Sequence, residues 1–453
     1  MGSQIVNKTI LCIAIEFFPF NSTGSFRYLK FLKHLKANSF NVIVLVPTFE
    51  DRKRLLPNSI TDETLFQEIS QYCTIFEIPL VYKEQIGVLK KINSFFQFVG
   101  LNLSGWKKAI EVFVEGYLQI NEIHYIYSTI PPFEVGVLAA EVARKFNIKF
   151  IVDVRDEWSL NKSIPYTTYF QYKNILNLEN KIFNQANKII VVTPELIEIF
   201  KTVHKTISPK KFVLITNGFD FENIDFKPNL SLDLVGNKLN IAYSGAFYYD
   251  PVCEDLTKPF YKRKGLKFIG YRQSFTNEDW SYRSPLYFLK AIEIAIFKRP
   301  QLKHNLCFHY IGNEPSWLKT MILEHDLENN FIAHGFVKKK RNLEILSKCD
   351  ALLLTNEKVM GAKSYCISSK LFDYISLNKI ILAFVPDGDT KDILLKANNS
   401  IIFDPDEIEL NANKIIELFD KVTILKVNTE SYNNYKSENL SKKLIDILNE
   451  ELF

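Results

Sequence analysis

Apolar segments typical of strands alternate with amphipathic segments typical of helices along nearly the whole chain, and this alternation restricts the fold more than any other feature. Ile10–Ile15 and Asn41–Val46 are typical of buried strands, and between them the apolar residues of Phe26–Ala37 recur at helical spacing. This order favours two parallel strands joined by a crossover helix. The sequence therefore predicts an α/β protein built on parallel sheets.

The alternation breaks once, in a polar, proline-containing stretch around 217–233. Because 453 residues are too many for one core, we expect two doubly wound domains, over 1–225 and 226–427. Residues 428–453 are expected to form a terminal helix that returns to the first domain. Ligands bind beyond the carboxyl ends of parallel strands, so two such domains are expected to face an interdomain cleft.

Charge and composition exclude several classes of protein. A formal net charge of +5 is far below the basic excess of a nucleic-acid binder. Six cysteines without CxxC spacing and seven scattered histidines indicate reduced thiols and no metal site. The sequence shows no secretory signal and no apolar run long enough to span a bilayer. We therefore expect a cytoplasmic protein.

The segment Cys366–Val385 combines features of an anion-binding helix start with a buried strand. Ser368 or Ser369 is expected to cap the helix, and the free N–H groups and dipole at that end favour an anion. Lys370 adds a positive charge there, whereas the carboxylate of Asp373, one turn further on, suits ribose hydroxyls. The pattern fits a nucleoside diphosphate, although an ordinary capped helix with a solvated lysine fits this segment equally well.

The apolar pattern in the rest of this segment predicts which of its residues are buried. Leu371, Tyr374 and Ile375 recur at helical spacing and should face the core. Asn378 tolerates the left-handed conformation that ends many helices, and Ile380–Val385 should form a strand buried on both faces.

Several segments resemble, in the same order along the chain, motifs of the GT-B glycosyltransferases, particularly the family-4-like group. Residues 370–384, KLFDYISLNKIILAF, are similar to the helix and strand that carry this group's Lys and Glu. The other matching segments are Pro19–Leu35, Ser128–Trp158, Ile215–Asp220, Tyr243–Tyr248, Arg283–Ile292, Phe308–Asn313, Phe331–Leu354 and Val385–Leu394. The ordered set covers most of the chain.

This resemblance implies the GT-B fold, with two Rossmann-like doubly wound domains facing an interdomain cleft. It also implies transfer of a sugar from a UDP- or GDP-linked donor to the hydroxyl of a glycan or lipid-linked acceptor. We expect no cofactor and no metal, and retention of anomeric configuration with the leaving phosphate assisting the attack. The expected setting is the biosynthesis of surface polysaccharide or another glycoconjugate.

The resemblance further implies residues for donor binding, because the leaving diphosphate must be stabilised by positive charge and N–H groups. The expected diphosphate-binding residues are Gly24, Ser25, Arg27, Gly245, Arg283, Ser369 and Lys370. Asp373 is expected to bind the ribose, and the base would contact the turns at Gly312, Gly335 and Phe336, largely through backbone.

The candidate catalytic residues are Asp153, Arg155 and Asp156, which should lie at the carboxyl end of a strand. Asp156 could accept the proton of the acceptor hydroxyl. Arg155 could act in catalysis or could pair with Asp153 or Asp156 and hold the loop, and we favour the structural pair.

The sequence also departs from the family pattern. Members often carry two glutamates eight positions apart; Asp373 fills the second position, but Tyr365 replaces the first, and an N-domain histidine is missing. A second hypothesis is therefore a catalytically degenerate GT-B protein that binds nucleotide or serves as a partner subunit.

Two further segments leave their roles open. The apparent insertion 248–282 could form a lid or a surface loop without a catalytic role. The segment 88–117 mixes lysines with aromatic residues and could contact a membrane peripherally, although a pair of helices covering the sheet is the interpretation we favour.

Overall fold

The computed structural model describes residues 8–57, 59–80, 100–161, 169–220, 227–234, 237–247 and 277–450. The described residues divide into two compact units. The first unit contains those up to Thr216 and those from Ser437 onwards, and the second contains those from Asn217 to Lys436.

The first unit is built on a sheet of seven strands. The strands are β1 (Thr9–Ile13), β2 (Asn41–Val46), β3 (Thr74–Glu77), β4 (Tyr125–Ile130), β5 (Lys149–Val154), β6 (Lys188–Val191) and β7 (Phe212–Leu214). The helices before the second unit are α1 (Thr23–Ala37), α2 (Phe49–Leu55), α3 (Glu63–Ile69), α4 (Ser104–Leu118), α5 (Phe133–Phe146), α6 (Tyr169–Gln185) and α7 (Pro194–Val203), with a 3₁₀ turn at Pro209–Lys211.

The strands of this sheet lie in the order β3-β2-β1-β4-β5-β6-β7, and every neighbouring pair is parallel. β1 and β4 are buried along their whole length, as expected for strands that are covered on both faces. The chain builds outward from β1 in one direction and from β4 in the other. The order of the sheet therefore reverses between β1 and β4.

The second unit has a six-stranded sheet and two small strand pairs. Its strands are β8 (Asn229–Leu232), β9 (Leu239–Ser244), β10 (Asn277–Asp279), β11 (Leu306–Ile311), β12 (Phe331–Ala333), β13 (Ala351–Thr355), β14 (Lys358–Met360), β15 (Ile380–Phe384), β16 (Ser400–Phe403) and β17 (Thr423–Lys426). Its helices are α8 (Leu286–Lys298), α9 (Ser316–Glu324), α10 (Lys339–Lys348), α11 (Ser369–Ser376), α12 (Asp389–Ala397), α13 (Ile408–Leu418) and α14 (Thr429–Tyr432), with 3₁₀ turns at Trp280–Arg283, Pro300–Asn305, Glu328–Asn330 and Asn433–Tyr435.

The main sheet of the second unit is parallel, in the order β12-β11-β9-β13-β15-β16. Its order reverses between β9 and β13. The pairs β10–β14 and β8–β17 are antiparallel. Two Rossmann-like parallel sheets in one chain confirm the predicted α/β class. The proposed insertion 248–282 lies largely outside the described residues, which resume at Asn277 in β10.

A last helix, α15 (Ser437–Asn449), packs in the first unit. Leu444 and Leu448 are buried in the same core as Tyr28 of α1. The carbonyl oxygen of Leu448 accepts hydrogen bonds from Lys8 Nζ at 2.7 Å and from the Tyr125 hydroxyl at 2.9 Å. The first unit is therefore completed by residues that follow the whole second unit in sequence.

The segment 88–117, for which we favour helices covering the sheet over membrane contact, is described only from residue 100. There, α4 buries Trp106, Ile110 and Val114, and the Trp106 indole N–H donates to the Ile78 carbonyl at 3.1 Å. This is the packing of a helix that covers a sheet. Within the described ranges, no helix has both the length and the apolar character needed to cross a membrane.

We expect Leu444→Ala to lower the free energy of unfolding by about 2–5 kcal/mol, because it leaves a cavity between α15 and α1. Chemical denaturation measures the change. Lys443→Ala is the matched control on the exposed face of α15 and should change the free energy by less than about 0.5 kcal/mol. Equal stabilities of the two variants would contradict the packing of α15 described above.

Candidate functional site

The reversal of strand order in the second unit brings a glycine and a lysine together. Gly245 directly follows β9 and has a φ of +105°, a conformation that favours glycine. A Cβ added to Gly245 would lie 2.6 Å from Cε of Lys370, so the lysine side chain passes directly over the backbone there. Two of the predicted diphosphate-binding residues are thus in contact.

Two further glycines, Gly312 and Gly335, continue this backbone surface along neighbouring strands. The Gly245 N–H donates to the Ile311 carbonyl at 2.8 Å, and the Gly312 N–H donates to the Gly335 carbonyl at 3.0 Å. A Cβ on Gly312 would lie 2.8 Å from the carbonyl oxygen of Gly245. Beyond Gly335, with its φ of +67°, the Phe336 side chain is 55% exposed. The predicted nucleoside-binding turns therefore adjoin the Gly245 turn.

Helix α11 begins at this edge, at Ser369. Leu371 and Tyr374 are fully buried, as predicted, and the Tyr374 hydroxyl accepts the Ser244 N–H at 3.1 Å, which ties the helix to the end of β9. The predicted hydroxyl cap is wrong: within the described part of the chain, Ser368 makes no capping hydrogen bond through its side chain. The first turn of α11 thus lacks the side-chain oxygen that usually satisfies its N–H groups.

Cationic side chains lie around Tyr243 at the end of β9. Lys370 Nζ lies 4.8 Å from the centroid of the Tyr243 ring. Burial raises the pKa of Tyr243 well above its usual range, and the charge of nearby Arg283 partly opposes this rise. Arg283 Nη1 lies 3.1 Å from Glu357 Oε2. The predicted Arg283, Gly245 and Lys370 therefore share one site.

Two carboxylates complete the surroundings of this site. Glu357 is buried just after β13, on the other side of the strand-order reversal from Gly245, and sequence reasoning missed it. The sequence feature that could have identified Glu357 is a charged residue close after an apolar strand. Asp373 is partly exposed, and its Oδ1 lies 3.6 Å from Lys339 Nζ at the start of α10. Tyr365, at the position of the missing glutamate, donates its hydroxyl to Glu278 at 2.7 Å.

Two histidines stack beside the Gly312 and Gly335 turns. His309 Nδ1 and His334 Nε2 are 3.0 Å apart, and their ring centroids are separated by 5.2 Å. Partial burial lowers the pKa of both imidazoles below the usual value of 6.5, and the charge of His334 lowers that of His309 further. The pair is therefore most compatible with the folded state when both rings are neutral.

In the first unit, Arg27 and Asp153 form a buried ion pair. Arg27 Nε and Nη2 donate to the two carboxylate oxygens of Asp153 at 2.8 and 3.0 Å, and Tyr127 adds a third hydrogen bond to the same group. Arg27 also donates to the carbonyls of Thr216 and Ile215. Neither Arg27 nor Asp153 reaches the surface. These contacts correct the expected diphosphate role of the Arg27 side chain and the expected catalytic role of Asp153.

Arg155 is also held in an ion pair, as favoured, but its partner is neither Asp153 nor Asp156. Its Nη2 lies 2.8 Å from Oε2 of Glu16, a residue that sequence reasoning missed. The same Glu16 oxygen accepts the Gly24 N–H at 3.1 Å. Because α1 has no acidic residue in its first turn, Glu16 supplies the negative charge that a helix N-terminus favours.

The other two predicted residues of this unit differ in exposure. Ser25 is buried, its N–H donates to the Ser22 hydroxyl at 3.1 Å, and its own hydroxyl donates to the Phe20 carbonyl at 2.6 Å. Asp156 is exposed in the bend after β5. The loop that follows Asp156 is held to α6, because the buried Glu179 of that helix accepts the Trp158 N–H at 3.1 Å.

We expect Asp153→Asn to lower the free energy of unfolding by about 3 kcal/mol or more, because it leaves the Arg27 charge buried without a counter-charge. Denaturant titration measures the loss. Asp446→Asn, on the exposed face of α15, is the control and should change stability by less than about 0.5 kcal/mol. A loss below about 1 kcal/mol for Asp153→Asn would mean that the pair contributes little.

The histidine pair makes stability dependent on pH. Because the pKa of each ring is lower in the folded state than in the unfolded state, its contribution is complete above about pH 6.5 and is lost as the pH falls below that value. We expect His334→Phe, which retains a stacked ring, to give a shallower fall in melting temperature between pH 7.5 and 5.5. Parallel curves for the variant and the wild type would contradict this.

Comparison with known proteins identifies the fold and a family match over part of the chain. Residues 286–450 match the family model for glycosyl transferases group 1, and no curated protein sequence matches the chain. Alr3699/HepE from Anabaena, solved with UDP and glucose, matches with a TM-score of 0.56 and 12% identity, over 97% of this chain and 99% of that one.

Two other solved structures match at similar levels. Sucrose-phosphate synthase from Thermosynechococcus elongatus has a TM-score of 0.55 and 11% identity, over 98% of this chain and 95% of that one. A point mutant of S. aureus TarM, in complex with fondaparinux, α-GlcNAc-glycerol and UDP, has a TM-score of 0.52 and 12% identity, over 98% and 100%. The chain therefore has the GT-B fold, and its residues 286–450 match the glycosyl transferases group 1 family.

Proposed function

We propose that the second unit binds the diphosphate of a nucleotide-sugar donor where Lys370 crosses Gly245. This contact carries the proposal, because it joins a cation, an exposed turn of backbone and the first turn of α11 at the reversal of strand order. Ligands of open α/β sheets bind at such reversals. A helix N-terminus beside a lysine is suited to a pyrophosphate.

The proposed reaction moves the sugar to an acceptor hydroxyl. As the bond to the diphosphate breaks, negative charge accumulates on the leaving group, and Lys370 and the N–H groups of α11 stabilise that charge. Arg283 adds a second cation nearby. These groups supply the positive charge that the reaction needs, which supports a mechanism without metal or cofactor. Retention of anomeric configuration is proposed from the family resemblance.

The nucleoside is proposed to lie along the glycine turns. Asp373 presents a partly exposed carboxylate one turn beyond Lys370, which suits ribose hydroxyls, and the Phe336 ring is accessible for contact with a base. UDP is the first nucleotide to test, since Alr3699/HepE and TarM were both solved with UDP. The α-GlcNAc-glycerol in the TarM complex supports a glycan acceptor, within polysaccharide or glycoconjugate biosynthesis.

One observation favours a second candidate function, a nucleotide-binding partner without transfer activity. Tyr365 stands where the family often has a sugar-contacting glutamate, and its hydroxyl is engaged with Glu278. Release of UDP from a UDP-sugar by the purified protein distinguishes the two candidates. UDP binding without any turnover would favour the partner role.

We expect Lys370→Ala to weaken UDP binding at least about tenfold, because it removes a charge-assisted contact to the diphosphate. Isothermal titration calorimetry with UDP measures the affinity. Lys396→Ala, an exposed lysine on α12, is the matched control and should bind UDP like the wild type. Equal affinity of Lys370→Ala and wild type would refute the donor site.

Gly245→Ala tests the same site through the backbone. The added methyl group would collide with Lys370 Cε and would force an unfavourable φ. We expect UDP affinity to fall about tenfold or more. The melting temperature, measured without UDP, shows whether the variant is still folded, so that a loss of affinity can be assigned to displacement of Lys370. Unchanged UDP affinity would contradict the proposed binding of the diphosphate at Gly245.

A further inference from the structure

The first unit has its own reversal of strand order, between β1 and β4, and Glu16 lies there. Glu16 follows β1, and Thr129 stands near the end of the neighbouring β4. Ligands of open parallel sheets bind in the crevice beyond the carboxyl ends of the strands at this point. Glu16 is therefore in the position where the first unit is expected to receive a substrate.

The contacts of Glu16 fix the orientation of its carboxylate. Its Oε2 accepts the Gly24 N–H at 3.1 Å and pairs with Arg155 Nη2 at 2.8 Å. A Cβ on Gly24 would collide with this oxygen, so the close approach requires glycine at that position. Two donors from different parts of the unit thus hold one oxygen of the carboxylate.

Arg155, the ion-pair partner of Glu16, is also held in a fixed position. Arg155 is 7% exposed; its Nε donates to the Thr129 hydroxyl at 3.1 Å, and its backbone N–H donates to the Ile130 carbonyl at 2.9 Å. Arg155 therefore holds the Glu16 carboxylate in a fixed position, where it can accept a hydrogen bond.

The other oxygen of Glu16 remains for a ligand. The side chain is 20% exposed, and among the described residues no hydrogen bond or ion pair reaches Oε1. Asp153, at the end of β5, is closed to solvent by Arg27, whereas Asp156 is exposed in a bend. Glu16 combines partial exposure with a fixed position, and a fixed position is what orients a reacting group.

We propose that Glu16 binds the hydroxyl group that receives the sugar; this inference rests on the proposed function. The acceptor hydroxyl donates a hydrogen bond to Oε1, which orients its oxygen lone pair for attack on the donor sugar. The bond between that carbon and the diphosphate breaks with its electron pair, the acceptor oxygen forms the new bond, and its proton passes to the leaving diphosphate. Glu16 takes up no proton in this step and keeps its contact with Arg155.

Hydrolysis of a nucleotide sugar tests this role, because water then takes the place of the acceptor hydroxyl. UDP-glucose, UDP-N-acetylglucosamine and GDP-mannose are tested with the wild type, and the donor hydrolysed fastest is used for the variants. We expect Glu16→Gln to lower kcat about tenfold or more while KM for the donor and the affinity for the free nucleotide change less than about threefold.

Two variants separate this role from a structural one. Glu115→Gln, on the exposed face of α4, should hydrolyse the donor like the wild type. Glu16→Asp keeps the charge but shortens the side chain, and it should retain the fold with a kcat between those of the wild type and Glu16→Gln. If Glu16→Gln does not fold, Glu16→Asp is used in its place. The expected result is the same in kind, a lower kcat with little change in KM for the donor.

The outcomes are distinguishable. A wild-type kcat in Glu16→Gln, or in Glu16→Asp where that variant carries the test, would overturn this inference and leave the donor site intact. Equal losses of kcat and nucleotide affinity would also overturn it, because they would assign Glu16 a structural role. Failure of the wild type to bind UDP or GDP would overturn the proposed function itself, and binding without hydrolysis of any donor would overturn transfer and this inference together.

Discussion

A parallel strand that is buried on both faces can present polar groups only beyond its ends, and this constraint determines where chemistry can occur in the protein. The inner strands of both sheets are mostly apolar and buried, so the glycines, charged residues and helix starts that follow them carry most of the proposed functional contacts. Each unit has one place where the order of its strands reverses and the following loops diverge. Lys370 lies at one of these places and Glu16 at the other.

The two arginines of the first unit show how burial separates structural from functional charge. Arg27 donates its hydrogen bonds to Asp153 and to carbonyl groups, and both partners of the ion pair are closed to solvent. Arg155 is buried too, but its carboxylate partner Glu16 is partly exposed. A buried charge with a buried partner joins segments within the interior, whereas a buried charge with a partly exposed partner fixes the position of a group at the surface.

The sequence predicted the features that depend on residues close together along the chain, such as which face of a helix is buried and where the helix ends. Leu371 and Tyr374 are buried at helical spacing, and Asn378 has the left-handed φ of +52° expected after the end of α11. The family resemblance assigned Gly245 and Lys370 to the same site, but it did not predict that they are in contact. Pairing across long separations was not predictable: Arg27 and Asp153 are 126 residues apart in sequence, and Glu16 and Arg155 are 139 apart. The family resemblance implied Arg27 as a diphosphate contact, and Asp153 was a candidate catalytic residue, but both are buried in their ion pair.

The position of α15 has a consequence for synthesis on the ribosome. Tyr28 and its neighbours on α1 emerge early, but Leu444 and Leu448, which pack in the same core, emerge only after the entire second unit. The second unit can therefore complete its core while the first still exposes an apolar face between α1 and β4. During translation that face stays uncovered until α15 has been synthesised, and exposed apolar surface of this kind makes a nascent chain prone to aggregation.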